Sequence, residues 1–277
     1  RLPGCGLNDS YCGTNATSCD DSSGAPVCQC GVGYAGERCD ECAPGYQDND
    51  GDTICTPACA VDSCTGVGER CIDQSGVLEC IVPDGEDCLE ILGRDPAAIS
   101  GVYSVVPSGA SFVSNVYCDM STDGGGYTFL KVDLGSGQSW RAPEIEAYCA
   151  QRGMSLFIPR TESHLASAYA VAVDATIGSS GVWNYLYLLG IYPITNGARC
   201  TNLALQSGVA GCDWRASDDG AFWVSDKTTI GEPNGDNRVD QSMGYRFDQG
   251  SSIVRSYNDI TPGYSSRYFI CDTLSKP

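Results

Sequence analysis

The sequence predicts a multidomain protein in which small disulfide-rich modules precede one larger α+β domain. Three observations carry this. Of the 18 cysteines, 12 fall in the first 80 residues and 6 in the remaining 197, so the front is a cross-linked scaffold and the rest a globular domain with a few staples. The 277 residues suffice for one sizeable core beside smaller modules. Beyond residue 139, apolar side chains recur at helical spacing in two stretches and as a nearly continuous strand-like run in a third.

The first module spans residues 1–57. Cys5, Cys12, Cys19, Cys28, Cys30 and Cys39, closing with Gly31-Val-Gly33-Tyr34-Ala-Gly36, resemble an EGF-like module. Six cysteines alone allow 15 pairings; the resemblance implies Cys5–Cys19, Cys12–Cys28 and Cys30–Cys39. A further loop, Cys42 to Cys55, resembles the extra loop of the laminin type and implies Cys42–Cys55. Inside it, Asp48, Asp50 and Asp52 alternate as at the start of an EF-hand or thrombospondin type 3 loop, a candidate second metal site. A solvated acidic turn accounts for them equally well, since Thr53 stands where such a loop needs glycine. Cys59, Cys64, Cys71 and Cys80, within residues 58–86, resemble a second, partial EGF-like module and imply Cys59–Cys71 and Cys64–Cys80. Asn8 and Asn15 each begin a glycosylation acceptor triplet.

Residues 87–130 contain Asp87-Cys88-Leu-Glu-Ile-Leu92, Ser100-Gly-Val-Tyr103 and Val116-Tyr-Cys118-Asp-Met120 followed by Gly124-Gly-Gly126. These are similar to the opening subdomain of fibrinogen-like and intelectin domains, which implies Cys88–Cys118. The large ligand domain of that family does not follow, so the segment reads as a structural lead-in.

Residues 131–277 form the last domain. Pro143 suits a first helical turn, Glu144 and Glu146 complement the helix dipole, and Gly153 ends a helix whose inward face carries Ile145, Tyr148 and Cys149. Thr161 to Ala172 reads as a second helix with Leu165, Ala168, Tyr169 and Ala172 inward. Trp183 to Tyr192 reads as a central strand, and Val254 and Tyr268 to Cys271 as strands of a small sheet.

Within this domain Glu232, Asn234, Asp240, Asn258 and Asp259 are all hard oxygen donors, drawn from two loop segments, and such a set can fill much of a Ca²⁺ shell. Pro233 admits a cis peptide, which would turn Glu232 and Asn234 to one side. Glu-Pro-Asn-Gly is also a good turn sequence. The Glu-Pro-Asn triplet, Asp240 eight positions after its Glu, the Asn258-Asp259 pair and Cys271 near the end resemble the C-type lectin family. That resemblance runs from Ser139 onward and implies a fold of two helices, small antiparallel sheets and a long irregular loop region. It also implies a Cys149–Cys271 bond, Ca²⁺ as cofactor, and binding of a mannose-, N-acetylglucosamine- or fucose-type sugar through two neighbouring hydroxyls, with Tyr257 a further candidate contact. The family's inner disulfide is missing, Ser242 standing near where a cysteine would be, and a Cys200–Cys212 bond, closing an 11-residue loop before the site, is the expected replacement brace.

Other chemistries fit poorly. The only histidine, His164, lies inside the second predicted helix and reads as a surface or core-edge residue rather than half of a dyad. Zinc lacks ligands, since each cysteine has a disulfide partner. Asp218-Asp219 beside Gly220 reads as a turn, not a glycosidase pair. A net charge of −19 argues against nucleic acid and anionic membrane as partners. The apolar run Val182 to Tyr192 is too short for a bilayer span and holds Asn184. The chain, beginning Arg1-Leu-Pro-Gly-Cys5, reads as the mature form of a secreted protein. The functional expectation is a non-enzymatic lectin whose partner is a glycan or glycoprotein. The alternative is a structural or adhesive matrix component, either one able to form a homo-oligomer or filament.

Overall fold

The computed structural model describes residues 5, 11–48, 51–60, 63–64, 70–74, 77–177, 186–247, 255–259 and 264–276. Asn8, Asp50, Trp183 and Val254 lie outside them. The chain forms two compact units, Arg1–Pro83 and Asp84–Pro277.

In the first unit the described strands pair in two-stranded antiparallel sheets: Ala16–Asp20 (β1) with Val27–Cys30 (β2), Tyr34–Ala35 (β3) with Glu41–Cys42 (β4), Tyr46–Gln47 (β5) with Thr56–Pro57 (β6), and Arg70–Gln74 (β7) with Val77–Ile81 (β8). Among its described residues only Cys39 and Ile72 are buried apolar groups, while Val27, Val32 and Val77 are exposed. Covalent links therefore carry the fold: Cys5–Cys19, Cys12–Cys28, Cys30–Cys39, Cys42–Cys55, Cys59–Cys71 and Cys64–Cys80. Each closes a short loop, a constraint worth about 3 kcal/mol. Gly33 lets the third and fourth loops meet, because a Cβ there would sit 2.8 Å from the Tyr46 ring. The Tyr34 hydroxyl then accepts from the Cys55 N–H at 3.2 Å.

The second unit begins with helix Cys88–Arg94 (α1), strands Gly101–Val105 (β9), Ser114–Asp119 (β10) and Tyr127–Asp133 (β11), helix Ala142–Ala150 (α2), strand Ser155–Leu156 (β12) and helix Glu162–Val173 (α3). Short strands follow: Leu186–Leu188 (β13), Ile191–Pro193 (β14), Leu205–Gln206 (β15), Trp214–Ala216 (β16), Trp223–Ser225 (β17), Met243–Phe247 (β18), Arg255–Asp259 (β19) and Tyr268–Asp272 (β20).

The frame is a five-stranded antiparallel sheet in the order β12-β20-β11-β10-β9. Strand side chains alternate between faces, and both faces here are covered. Phe129 and Ile270 enter one core with Leu165 and Ala168 of α3. Phe269 and Cys271 enter the other with Ile91 of α1 and Ile145 and Cys149 of α2. The bonds Cys88–Cys118 and Cys149–Cys271 tie α1 and α2 to this sheet.

This arrangement revises several expectations. A boundary after residue 130 falls inside β11, which pairs with β10 on one side and with β20 on the other; residues 87–130 are an integral part of the sheet, not a lead-in. Helix α2 stops at Ala150, and Tyr148 is half-buried between Trp140 and Phe269. On α3, Tyr169 is only half-buried, whereas His164 and Ser167 are interior. The described part of the expected central strand divides into β13 and β14. The two parts pair with different strands, β13 with β18 and β14 with β16, and between them Gly190 is required to be glycine because a Cβ there would meet the Leu156 carbonyl at 2.8 Å.

Two polar groups anchor the sheet's interior. His164, 0% exposed, stacks on Tyr127 at 4.4 Å, accepts from the Arg160 N–H at Nδ1 and faces Asp272 Oδ2 with Nε2 at 2.9 Å. Asp119, at the end of β10, accepts from the Ser121 and Thr122 N–H groups and from the Ser167 hydroxyl. Burial opposes ionisation of Asp119, but these hydrogen bonds win and pull its pKa down to about 2.

Candidate functional site

The strand pair β18–β19 carries the Asn258-Asp259 dipeptide, with Gly244 opposite Asn258 and Met243 opposite Asp259. Neighbouring strand residues face opposite ways. Tyr257 and Asp259 point inward, 2% and 0% exposed, and Asn258 points to solvent. Tyr257 is thus a core ring, grouped with Trp214 and Phe222, and is not presented for stacking on a sugar. Trp223 is half-buried against the same core.

Asp259 organises the loop that carries Glu232 to Asp240. Its Oδ1 accepts from the Asn234 N–H at 3.1 Å; its Oδ2 accepts from the Gly235 and Asp236 N–H groups at 2.7 and 3.0 Å and from Asn237 Nδ2 at 2.7 Å. Three of these donors crowd Oδ2, while Oδ1 keeps room for a further partner. Burial would raise Asp259, yet the surrounding Glu232, Asn237, Gly235 and Asn234 groups hold it below the usual carboxylate range.

Glu232 faces that buried carboxylate across the cis Glu232–Pro233 peptide. Its oxygens accept from the Asn234 N–H and Nδ2 at 3.1 and 2.9 Å. Partial burial first, and the Asp259 carboxylate second, push Glu232 up to about 7. Two opposed carboxylates repel unless a proton or cation lies between them. Asn234, Asp240 and Asn258 are exposed at the rim, where Asp240 sits 3.6 Å from Arg238 Nε. So Glu232, Asn234 and Asp259 are brought together, while Asp240 and Asn258 face solvent. Among the described residues no three His, Cys, Asp or Glu side chains cluster closely enough to hold an ion by themselves.

The brace of this loop comes from Asn196 to Asn202. Gly197 N–H donates to the Asn237 carbonyl, Cys200 N–H and Thr201 Oγ1 to the Pro233 carbonyl, and Asn202 N–H to the Ile230 carbonyl. Buried Asn237 exchanges two hydrogen bonds with the Ala198 backbone, at 3.2 and 2.7 Å, and Asn196 Oδ1 accepts from the Val239 N–H. The Cys200–Cys212 disulfide anchors this segment from behind, directly against the loop, although its sequence position precedes it. Asn237 and the 196–202 brace were not foreseen. Backbone pairing leaves no sequence pattern, and an asparagine among turn residues reads as turn chemistry until its burial is seen.

The candidate second site is locally satisfied. Asp48 Oδ1 accepts from the Thr53 N–H and Asp52 Oδ1 from the Ile54 N–H, which is turn chemistry. Asn15 donates through Nδ2 to the Cys39 carbonyl at 3.4 Å, and Thr17 of its triplet donates to the Gln29 carbonyl.

The second unit opens on a stretch with likeness to known proteins. The family of fibrinogen beta and gamma chains, C-terminal globular domain, matches residues 84–153. The fibrinogen alpha-2 chain of Petromyzon marinus is 46% identical over 46 residues, covering 16% of this chain and 7% of that protein. The match extends past residue 130 through α2, as the shared sheet requires. This fibrinogen-like stretch and the many disulfides fit a secreted, extracellular protein. No described helix is long and apolar enough to cross a membrane.

Proposed function

We propose that the protein is a secreted, calcium-dependent, non-enzymatic carbohydrate-binding protein, with EGF-like modules in its first unit and a C-type lectin-like site built onto a fibrinogen-like sheet in its second. The observation that carries this is the opposition of Glu232 to buried Asp259 on a braced loop whose other oxygen donors face outward. The residues present fit a hard cation: every donor is oxygen, and Glu232, Asn234, Asp240 and Asn258 keep solvent exposure for a shared ligand. Bound Ca²⁺ would supply coordination to two neighbouring sugar hydroxyls. The protein's part is directional: Glu232 and Asp240 accept hydrogen bonds from those hydroxyls, and the amides of Asn234 and Asn258 donate to them. Asp259 stays behind the site and fixes the loop. A buried His164 and fully paired cysteines support the non-enzymatic reading.

One weak site per head implies that copies displayed together would supply avidity, and the name of the fibrinogen relative supports an adhesive or recognition role outside the cell. A second reading, a matrix or filament component using this fold for protein contacts, is favoured by the protein donors that already satisfy Asp259 without an ion. Glycan-array binding decides between them. The lectin reading expects mannose- or N-acetylglucosamine-type signals in calcium that vanish in EDTA and in the double variant Glu232→Gln, Asn234→Asp. Signals identical in all three conditions, or none at all, leave the scaffold reading.

A further inference from the structure

The loop brace presents one group that the diol chemistry does not use. Along Ala198-Arg199-Cys200 the flanking residues are buried, 3% and 0% exposed, and Arg199 faces solvent. Its backbone is fixed, because Ala198 is bonded to Asn237 and Cys200 to Pro233 on either side. The side chain therefore lies along the site loop: a Cβ built on Gly235 would be 2.9 Å from both Cγ and Nε of Arg199. Gly235 also has φ +102°, so glycine is required there on two counts, and its lack of a side chain is what admits the guanidinium stem.

Arg199 has no hydrogen bond or ion pair among the described residues, although Glu232, Asp236 and Asp240 occupy the same loop. Arg238, two residues before Asp240, takes that carboxylate instead. In a chain of net charge −19, a guanidinium held on the rim of an acidic site, with its donors unspent, is set to meet an anion brought from outside. Its planar fork matches a carboxylate or sulfate better than a neutral hydroxyl.

We propose that Arg199 determines specificity, receiving an anionic substituent, a carboxylate or a sulfate ester, carried by the same glycan whose neighbouring hydroxyls bind at Glu232, Asn234, Asp240 and Asn258. This rests on the calcium–diol reading above and narrows its ligand class to acidic sugars.

The test compares matched immobilised pairs in calcium: 6-sulfo-N-acetylglucosamine against N-acetylglucosamine, and glucuronate against glucose. Wild type is expected to favour the charged member of at least one pair about five- to tenfold, and which pair shows it separates sulfate from carboxylate. Arg199→Ala should bring both members within about twofold by weakening only the charged one, Arg199→Lys should keep part of the preference, and Arg238→Ala should leave it intact. Equal binding of both members by wild type, or equal loss of both in Arg199→Ala, overturns the proposal. If instead EDTA and Glu232→Gln leave the charged sugar bound while Arg199→Ala releases it, the calcium–diol reading fails and the anion role of Arg199 stands.

Discussion

Two buried aspartates in the second unit do the same mechanical job in different electrostatic company. Asp119, ending β10, gathers the N–H groups of the turn that follows and the hydroxyl of Ser167. Asp259, ending β19, gathers the N–H groups of a loop more than twenty residues earlier in the chain. Only donors surround the first, and it remains a strong acid. The second is confronted by Glu232, whose acidity is correspondingly weakened. The contrast separates holding a turn from holding a turn that carries an unresolved negative charge. The latter arrangement marks the site.

The sharpest way to break the comparison is to remove each anchor. Asp259→Ala should cost about 3 kcal/mol, the order expected when buried N–H groups lose a charged acceptor, and should abolish calcium-dependent glycan binding. Amide exchange should quicken over residues 196–202 and 232–240. Asp119→Ala should cost a similar amount, about 3 kcal/mol, yet leave glycan affinity of the folded fraction within twofold. Loss of binding in both would show that the loop has no independence from the sheet.

Next in size is the brace. Replacing Cys200 and Cys212 together with serine should lower stability by about 3 kcal/mol, from the entropy of a loop of this length. Glycan binding should weaken as well, because Cys200 N–H holds the Pro233 carbonyl of the site loop. Chemical denaturation and titration on one preparation check both.

The smallest effect sharpens the electrostatics. A carboxyl whose folded pKa is raised binds its proton more tightly in the native state, so without calcium Glu232 makes the protein less stable as pH rises from about 4.5 through about 7. Glu232→Gln should therefore raise the stability at pH 8 in EDTA, by no more than about 1 kcal/mol after solvent screening. It should change nothing at pH 4. A gain at pH 4 equal to that at pH 8 would remove the opposed-carboxylate account.

What could be read beforehand followed from short-range chemistry. The helix beginning at Thr161, Pro143 in the first turn of α2 and the strand from Tyr268 to Cys271 all rest on signals within a few residues. Alternation also contained a lesson left unused: Asn258 and Asp259 adjoin on a strand, so they could not both face one ion from the same side, and their roles divide into rim and anchor. Less visible were features set by distant partners. Ser167 and His164 look like exposed helix positions until Asp119 and Asp272 are placed beside them. Likewise the run before Tyr192 divides because β13 and β14 pair with different distant strands, β18 and β16.

The chain's solitary imidazole offers a practical dividend. Stacked on Tyr127 and edge-on to Phe157, with Nε2 2.9 Å from Asp272 Oδ2, it sits where solvent does not reach. With one histidine in the sequence, its ring resonances in an NMR spectrum need no assignment by mutagenesis. They provide a built-in witness for the sheet that should stay still while ligands, chelators or substitutions perturb the distant loop.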